Sequence, residues 1–140
     1  MAGPNGSGKS SAYQETDIQA FGRSVWIINP DLLAKRIRDV EKLEENPANL
    51  AAVQRLEAWL EASILAHQTI GVETVLSTAK YQRLVIRAKE LGFKIHLIYV
   101  VLDSVERNIE RVRIRVQKGG HDVPEDKLRA RYTRSLEQLP

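Results

Sequence analysis

The sequence predicts an α/β fold in which a mostly parallel sheet is flanked by helices. Two observations carry that prediction. Short apolar, β-branched runs alternate along the chain with longer segments of helical periodicity. A glycine-rich loop stands at the head of the first of those helical segments.

The loop comes first in the chain. Gly3, Pro4, Asn5, Gly6, Ser7, Gly8, Lys9 and Ser10, followed by Ser11, match the phosphate-binding pattern G-x-x-x-x-G-K-[ST] in full. Gly3, Gly6 and Gly8 permit backbone angles closed to residues with a Cβ, so successive N–H groups can point at one anion. The following helix start adds free N–H groups and a partial positive charge. Lys9 is placed to reach the β- and γ-phosphates, and the Ser10 hydroxyl to hold Mg²⁺. Such a loop normally follows a buried strand. Only Met1 and Ala2 precede Gly3, so the first strand is expected to be missing. A truncated N-terminus, a strand lent by another segment or chain, and a poorly supported loop are the alternatives.

The elements then follow in order. Lys9 to about Gln14 begins a helix. Ser24–Asn29 reads as a buried strand ending at Asn29-Pro30-Asp31. Leu32 to about Glu44 is helical, with Leu32, Leu33, Ile37 and Val40 on its apolar face. Pro47 suits a helix start, and Ala48 to about Thr69 continues as a long helix carrying Leu50, Val53, Leu56, Leu60, Ile64 and Leu65 on one side. Gly71 breaks it, and Val72–Leu76 is a second strand. Tyr81–Leu91 is helical and stops at Gly92. Ile95–Leu102 is the clearest strand, a near-continuous apolar run. Asp103 or Ser104 caps the next helix, with Glu106 set for a capping box, and that helix ends at Gly119-Gly120. Pro124 opens the last helix. Trp26 and Trp59 fall in apolar patterns and are assigned to the core.

Composition bounds the class. The 140 residues suit a single domain, residues 1–140. Hydrophobic content of 43% and charged content of 28% are those of a soluble globular protein. Cysteine is absent, which excludes disulfides and thiolate metal sites. No apolar run approaches a membrane span and no leader precedes the loop. A nucleotide-dependent chain is expected where ATP is, in the cytoplasm. The net charge of +3 decides nothing by itself. From residue 103 onward nine basic residues face seven acidic ones, too weak a balance for a nucleic-acid stripe.

Four constellations can carry chemistry. Asp31 lies just past the end of the first strand, where ligands of doubly wound sheets bind. It can accept a proton from a hydroxyl, hold Mg²⁺ through water, or serve as a helix cap. Glu73 interrupts an apolar strand and either faces a cleft or pairs with an arginine, with Thr74 and Ser77 at the same edge. Arg107, Arg111 and Arg115 share a helix face, and Arg129, Arg131 and Arg134 follow on the next helix. Guanidinium forks suit a γ-phosphate, whereas Arg107 and Arg129 read as surface charges. Gly119-Gly120-His121 forms a hinge of the lid type, with His121 able to touch substrate. The apolar run ending at Asp103 also has the form of a metal-holding strand end.

Taken together and in order, the loop motif, Asn29-Pro30-Asp31, Glu73-Thr74-Val75-Leu76-Ser77, Gly119-Gly120-His121-Asp122-Val123-Pro124 and Arg129–Leu136 resemble the zeta-toxin-like P-loop kinases. The likeness spans nearly the whole chain. It implies a nucleoside-kinase-like fold of the P-loop nucleoside triphosphate hydrolases. It implies ATP or GTP with Mg²⁺, and phosphorylation of a UDP-activated amino sugar. Lys9 and Ser10 match the nucleotide and metal residues, Asp31 the base, and Glu73 with Thr74 the substrate motif. Arg115, with Arg111 or Arg131 and Arg134, matches the lid arginines. A small antitoxin protein is the partner the resemblance implies. Three features depart from the family: the strand before the loop is absent, Val75 replaces a second threonine, and the chain stops soon after Leu136. A nucleotide binder or slow ATPase without kinase activity, and a basic nucleic-acid-binding module, are the rival readings.

Overall fold

The computed structural model describes residues 1–15 and 25–140. Ser24, the expected start of the first strand, lies outside the described residues. The chain forms two compact units.

The first unit draws on residues 1–15, 74–80 and 97–140. Its centre is the short stretch Met1–Gly3. Ala2 bridges Thr74 on one side and Tyr99 on the other, both in parallel. Ala2 N donates to Ile98 O at 2.8 Å and Val100 N to Ala2 O at 2.8 Å. Thr74 N donates to Met1 O at 3.0 Å and Gly3 N to Thr74 O at 3.2 Å. The strand expected to be missing before the loop is therefore present in miniature. Each residue offers one donor and one acceptor, so Met1, Ala2 and Gly3 suffice for a ladder on both sides. Ala2 is fully buried there.

The run Ile95–Leu102 corrects a second expectation. Its described strand pairing is the bridge from Tyr99 to Ala2, and no extended strand forms over it. Ile95, Leu97, Ile98 and Val101 are exposed. A run reads as buried strand only when partners cover both edges and faces. Here the pairing partner spans a few residues.

Three helices complete this unit: α1 (Lys9–Glu15), α5 (Val105–Gln117) and α6 (Glu125–Glu137). Ser104 caps α5, its Oγ accepting from Arg107 N at 3.4 Å. The residue three beyond this cap is Arg107, so the box expected with Glu106 is not formed. Asp103 instead pairs with Arg107 at 3.2 Å. Ile109 and Val112 of α5 pack on Val123 and on Leu128 of α6.

The second unit draws on residues 25–73 and 81–96 among those described. β1 (Trp26–Ile28) pairs in parallel with β2 (Ile70–Val72), Ile27 opposite Gly71. Gly71 thus sits inside a strand and does not merely break a helix. The second strand lies earlier than Val72–Leu76, because its register is set by β1. Trp26 is 72% exposed, which overturns its assignment to the core, whereas Trp59 packs against it.

α2 (Pro30–Glu41) ends at Lys42, whose φ of 57° is left-handed. It buries Ala34 and Ile37, while Leu32 and Val40 are exposed. α3 (Glu45–Leu65) buries Ala48, Ala52, Leu56, Leu60, Ser63 and Ile64, and leaves Leu50 and Leu65 outside. Alanines at 34, 48 and 52 let α2 and α3 meet closely, so the buried stripe follows small residues that hydrophobicity alone overlooks. α4 (Gln82–Glu90) ends at Gly92 with φ 84°, as expected. Leu56, Leu60 and Ile64 of α3 join Leu84 and Ala88 of α4 in the main core. Among the described residues no helix is long and apolar enough to cross a membrane.

Leu56 is 1% exposed at the centre of that core. Leu56→Ala is expected to cost about 2–5 kcal/mol, read as a lower midpoint in urea unfolding. The exposed Leu50→Ala is expected to change it by less than about 0.5 kcal/mol.

Candidate functional site

The loop of residues 3–10 packs tightly against its unit. Gly6 has φ 80°, and a Cβ built there would lie 2.5 Å from Asn108 O of α5. Gly3 has φ 142°, and its Cβ would lie 2.0 Å from Val100 O. No side chain fits at either place. Asn5, Ser7 and Lys9 are buried. Lys9 Nζ donates to Pro4 O at 3.1 Å, folding the ammonium back over the loop. Asn108 Nδ2 donates to Asn5 O at 2.7 Å. Two buried oxygens, Ser7 Oγ and Asn108 Oδ1, have no hydrogen-bond partner among the described residues, and each such orphan costs about 1–3 kcal/mol.

These residues fit a nucleotide phosphate. Burying an ammonium is costly, and an anion beside it offsets the cost. Ser7 Oγ is an unmet polar atom in the same loop. Ser10 is half-buried at the start of α1 and Ser11 is exposed.

The arginines separate into three groups. Arg111 and Arg131 reach the loop: Arg111 Nη2 would lie 3.1 Å from a Cβ on Gly8, and Arg131 Nη1 donates to Asn5 Oδ1 at 3.4 Å. Arg115 Nη2 donates to His121 O at 2.7 Å, and Arg134 Nε to Ala130 O of its own helix at 3.2 Å. Arg107 and Arg129 lie in surface ion pairs, Arg129 with both Glu106 (2.8 Å) and Glu125 (2.9 Å). The Arg129 guanidinium holds both carboxyls below their usual range, chiefly through its hydrogen bonds. His121 is exposed and its described bond is that backbone carbonyl. Gly120 lies against Arg115, where a Cβ would meet Cγ at 2.5 Å, so the second glycine serves close packing.

Asp31 and Glu73 belong to the second unit. Asn29 caps α2, its Oδ1 accepting from Asp31 N at 2.9 Å and Leu32 N at 3.3 Å. Pro30 follows as the first helical residue. The cap role open to Asp31 is thus taken by its neighbour, and the Asp31 carboxyl stands exposed in the first turn. Glu73 follows β2, buried, with its N–H donated to Ile28 O at 2.8 Å. Thr74 lies across the chain's passage into the first unit, where its backbone pairs with Met1 and Gly3.

Several working residues escape the sequence reading. Asn108 is polar on the apolar face of α5 and 1% exposed. Ser135 is fully buried on α6. Its Oγ donates to Val75 O at 2.7 Å, so its contact with Tyr99 at 2.9 Å uses the phenol proton. Tyr132 donates to Leu102 O at 2.8 Å. These bonds tie α6 to the segments that flank Ala2. A polar residue where the helical period demands an apolar one is the signal that marks Asn108 and Ser135.

The family described as AAA domain (AAA_33) matches residues 1–139. The chain is also similar to an uncharacterized protein of Haemophilus influenzae, at 31% identity over 134 residues, 93% of this chain and 88% of the relative. No solved structure matches significantly.

Tyr81, half-buried ahead of α4, has its phenol pushed up to about 12, first by burial and then by the carboxylates of Glu57 and Asp31. The folded state keeps this proton after the unfolded chain has lost it near pH 10. Stability is therefore expected to fall as pH rises from about 10 to about 12. Tyr81→Phe should flatten that slope in urea midpoints taken across the range.

Proposed function

The chain belongs to the AAA domain family over residues 1–139, and on that footing we propose a P-loop kinase that phosphorylates a hydroxyl of a small acceptor. The family is P-loop NTPase-like, and nucleotide binding with kinase- or ATPase-type chemistry accords with it. The observation that carries the reading is the loop itself: a complete motif, two glycines with no room for a side chain, and a buried lysine turned onto Pro4 O.

In this reading the amides of Asn5, Gly6, Ser7 and Gly8, with Ser10 and Ser11, cradle the phosphates of ATP or GTP, and Gly3 and Pro4 shape the start of the loop. Lys9 exchanges its carbonyl partner for a phosphate oxygen, and the Ser10 hydroxyl holds Mg²⁺. The bound Mg-nucleotide supplies the transferable γ-phosphoryl group. Asp31 takes the proton from the acceptor hydroxyl as that oxygen becomes the nucleophile. Glu73, Thr74, Arg111 and His121 hold the acceptor. Arg131 and, after leaving their present carbonyl partners, Arg115 and Arg134 neutralise charge in the transition state. A UDP-activated amino sugar as acceptor and a small antitoxin that blocks the nucleotide site rest on the zeta-toxin resemblance. A second reading, a nucleotide binder or slow ATPase, is favoured by one observation: Arg115 and Arg134 both spend a donor on backbone carbonyls.

Mg-ATP at 100 times its dissociation constant is expected to add about 2.7 kcal/mol of stability. That is a rise of a few degrees in melting temperature, and Lys9→Ala should abolish it. Asp31→Asn is expected to keep the rise and lose phosphoryl transfer to an acceptor panel supplied with labelled ATP. Free labelled phosphate without labelled acceptor would favour the ATPase reading. Transfer by Asp31→Asn at the native rate would remove Asp31 from the role of base.

A further inference from the structure

Asn108 stands on the buried face of α5 beside Ile109 and Val112, where an apolar side chain would pack without penalty. One end of its amide donates to Asn5 O at 2.7 Å. The other end, Oδ1, is buried with no hydrogen-bond partner among the described residues. A residue kept for packing alone would not leave an acceptor unmet there.

Peptide geometry says what the bond accomplishes. In a planar trans peptide the C=O and the following N–H point in opposite directions. Holding the Asn5 carbonyl against α5 therefore turns the Gly6 N–H away from α5. Glycine lets a peptide pivot at little steric cost, so no Cβ at residue 6 keeps the plane from turning over. The same helix closes the back of the corner, since a Cβ on Gly6 would lie 2.5 Å from Asn108 O and 3.1 Å from Val112 Cγ2.

We infer that Asn108 is a positioning residue, which locks the Asn5–Gly6 peptide so that the Gly6 N–H is presented to the nucleotide phosphate. It touches no substrate and acts through the loop. The inference rests on the P-loop reading above.

Two measurements test it, calorimetric binding of Mg-ATP and the amide spectrum of ¹⁵N-labelled protein. The chains compared are wild type, Lys9→Ala, Asn108→Leu and Asn108→Asp. Asn108→Leu keeps the branched shape but is bulkier, and it deletes both the unmet acceptor and the donor to Asn5 O, so it is expected to fold with a melting temperature without nucleotide a few degrees below wild type. Its affinity for Mg-ATP should fall about tenfold or more. The Gly6 amide signal, shifted by Mg-ATP in wild type, should stay unshifted while the Lys9 and Ser10 signals still respond. Asn108→Asp replaces the donor by an acceptor in the same shape and should lose the Gly6 response as well. Native affinity and a native Gly6 shift in Asn108→Leu or Asn108→Asp, beside a wild type that binds, would overturn this inference alone. A wild type that binds Mg-ATP no better than Lys9→Ala would overturn the P-loop reading and this inference with it.

Discussion

Everything in the first unit hangs on the two-sided pairing of Ala2. Its N–H and C=O go to Ile98 and Val100, while its neighbours Met1 and Gly3 pair with Thr74. These bonds fix where the loop begins, and Gly3 must then pass Val100 with no space for a Cβ. Ala2 is small and wholly buried. The hydrogen bonds of Met1–Gly3 run to both sides and are shielded from water, which makes each one stronger.

The loop needs a second support on its far side, and α5 and α6 provide it. Asn108 takes the Asn5 carbonyl, the α5 backbone limits Gly6, and Arg131 reaches the Asn5 side chain. Ser135 and Tyr132 carry the same brace to Val75, Tyr99 and Leu102. The exposed ion pairs of Arg129 with Glu106 and of Arg113 with Glu125 cross between α5 and α6 at the surface. Such pairs contribute little each, and the packing of Ile109, Val112, Val123 and Leu128 stabilises this contact more. The polar side chains of α5 and α6 that touch the loop thus come from more than a hundred residues away in sequence.

This division of labour sorts the arginines. Arg111 and Arg131 lie at the loop, whereas Arg115 and Arg134 bond to backbone carbonyls and Arg107 and Arg129 to carboxylates. Their spacing along α5 and α6 does not separate these groups. Three residues four apart share a face, but the face turns as the helix runs, and only the residue level with Gly8 meets the loop.

Local chemistry wrote part of this protein openly in the chain. The loop motif, the helix stop at Gly92, the extent of α5 and the helix opening after Pro124 were all legible, because each depends on neighbours within a few residues. The reading failed where burial depends on distant partners. Leu32, Val40, Leu50 and Trp26 carry strong apolar signals yet lie outside, while Ala34, Ala48 and Ala52 carry weak ones and form the contact of α2 with α3. The run Ile95–Leu102 looks like a buried strand, but its described pairing is the bridge from Tyr99 to Ala2 and four of its apolar residues are exposed. Asn29 was visible beside Asp31, yet which of them caps α2 was settled by where the helix starts. Folding alone brought Asn108 to Asn5, since a hydrogen bond spanning 103 residues leaves no local pattern to read.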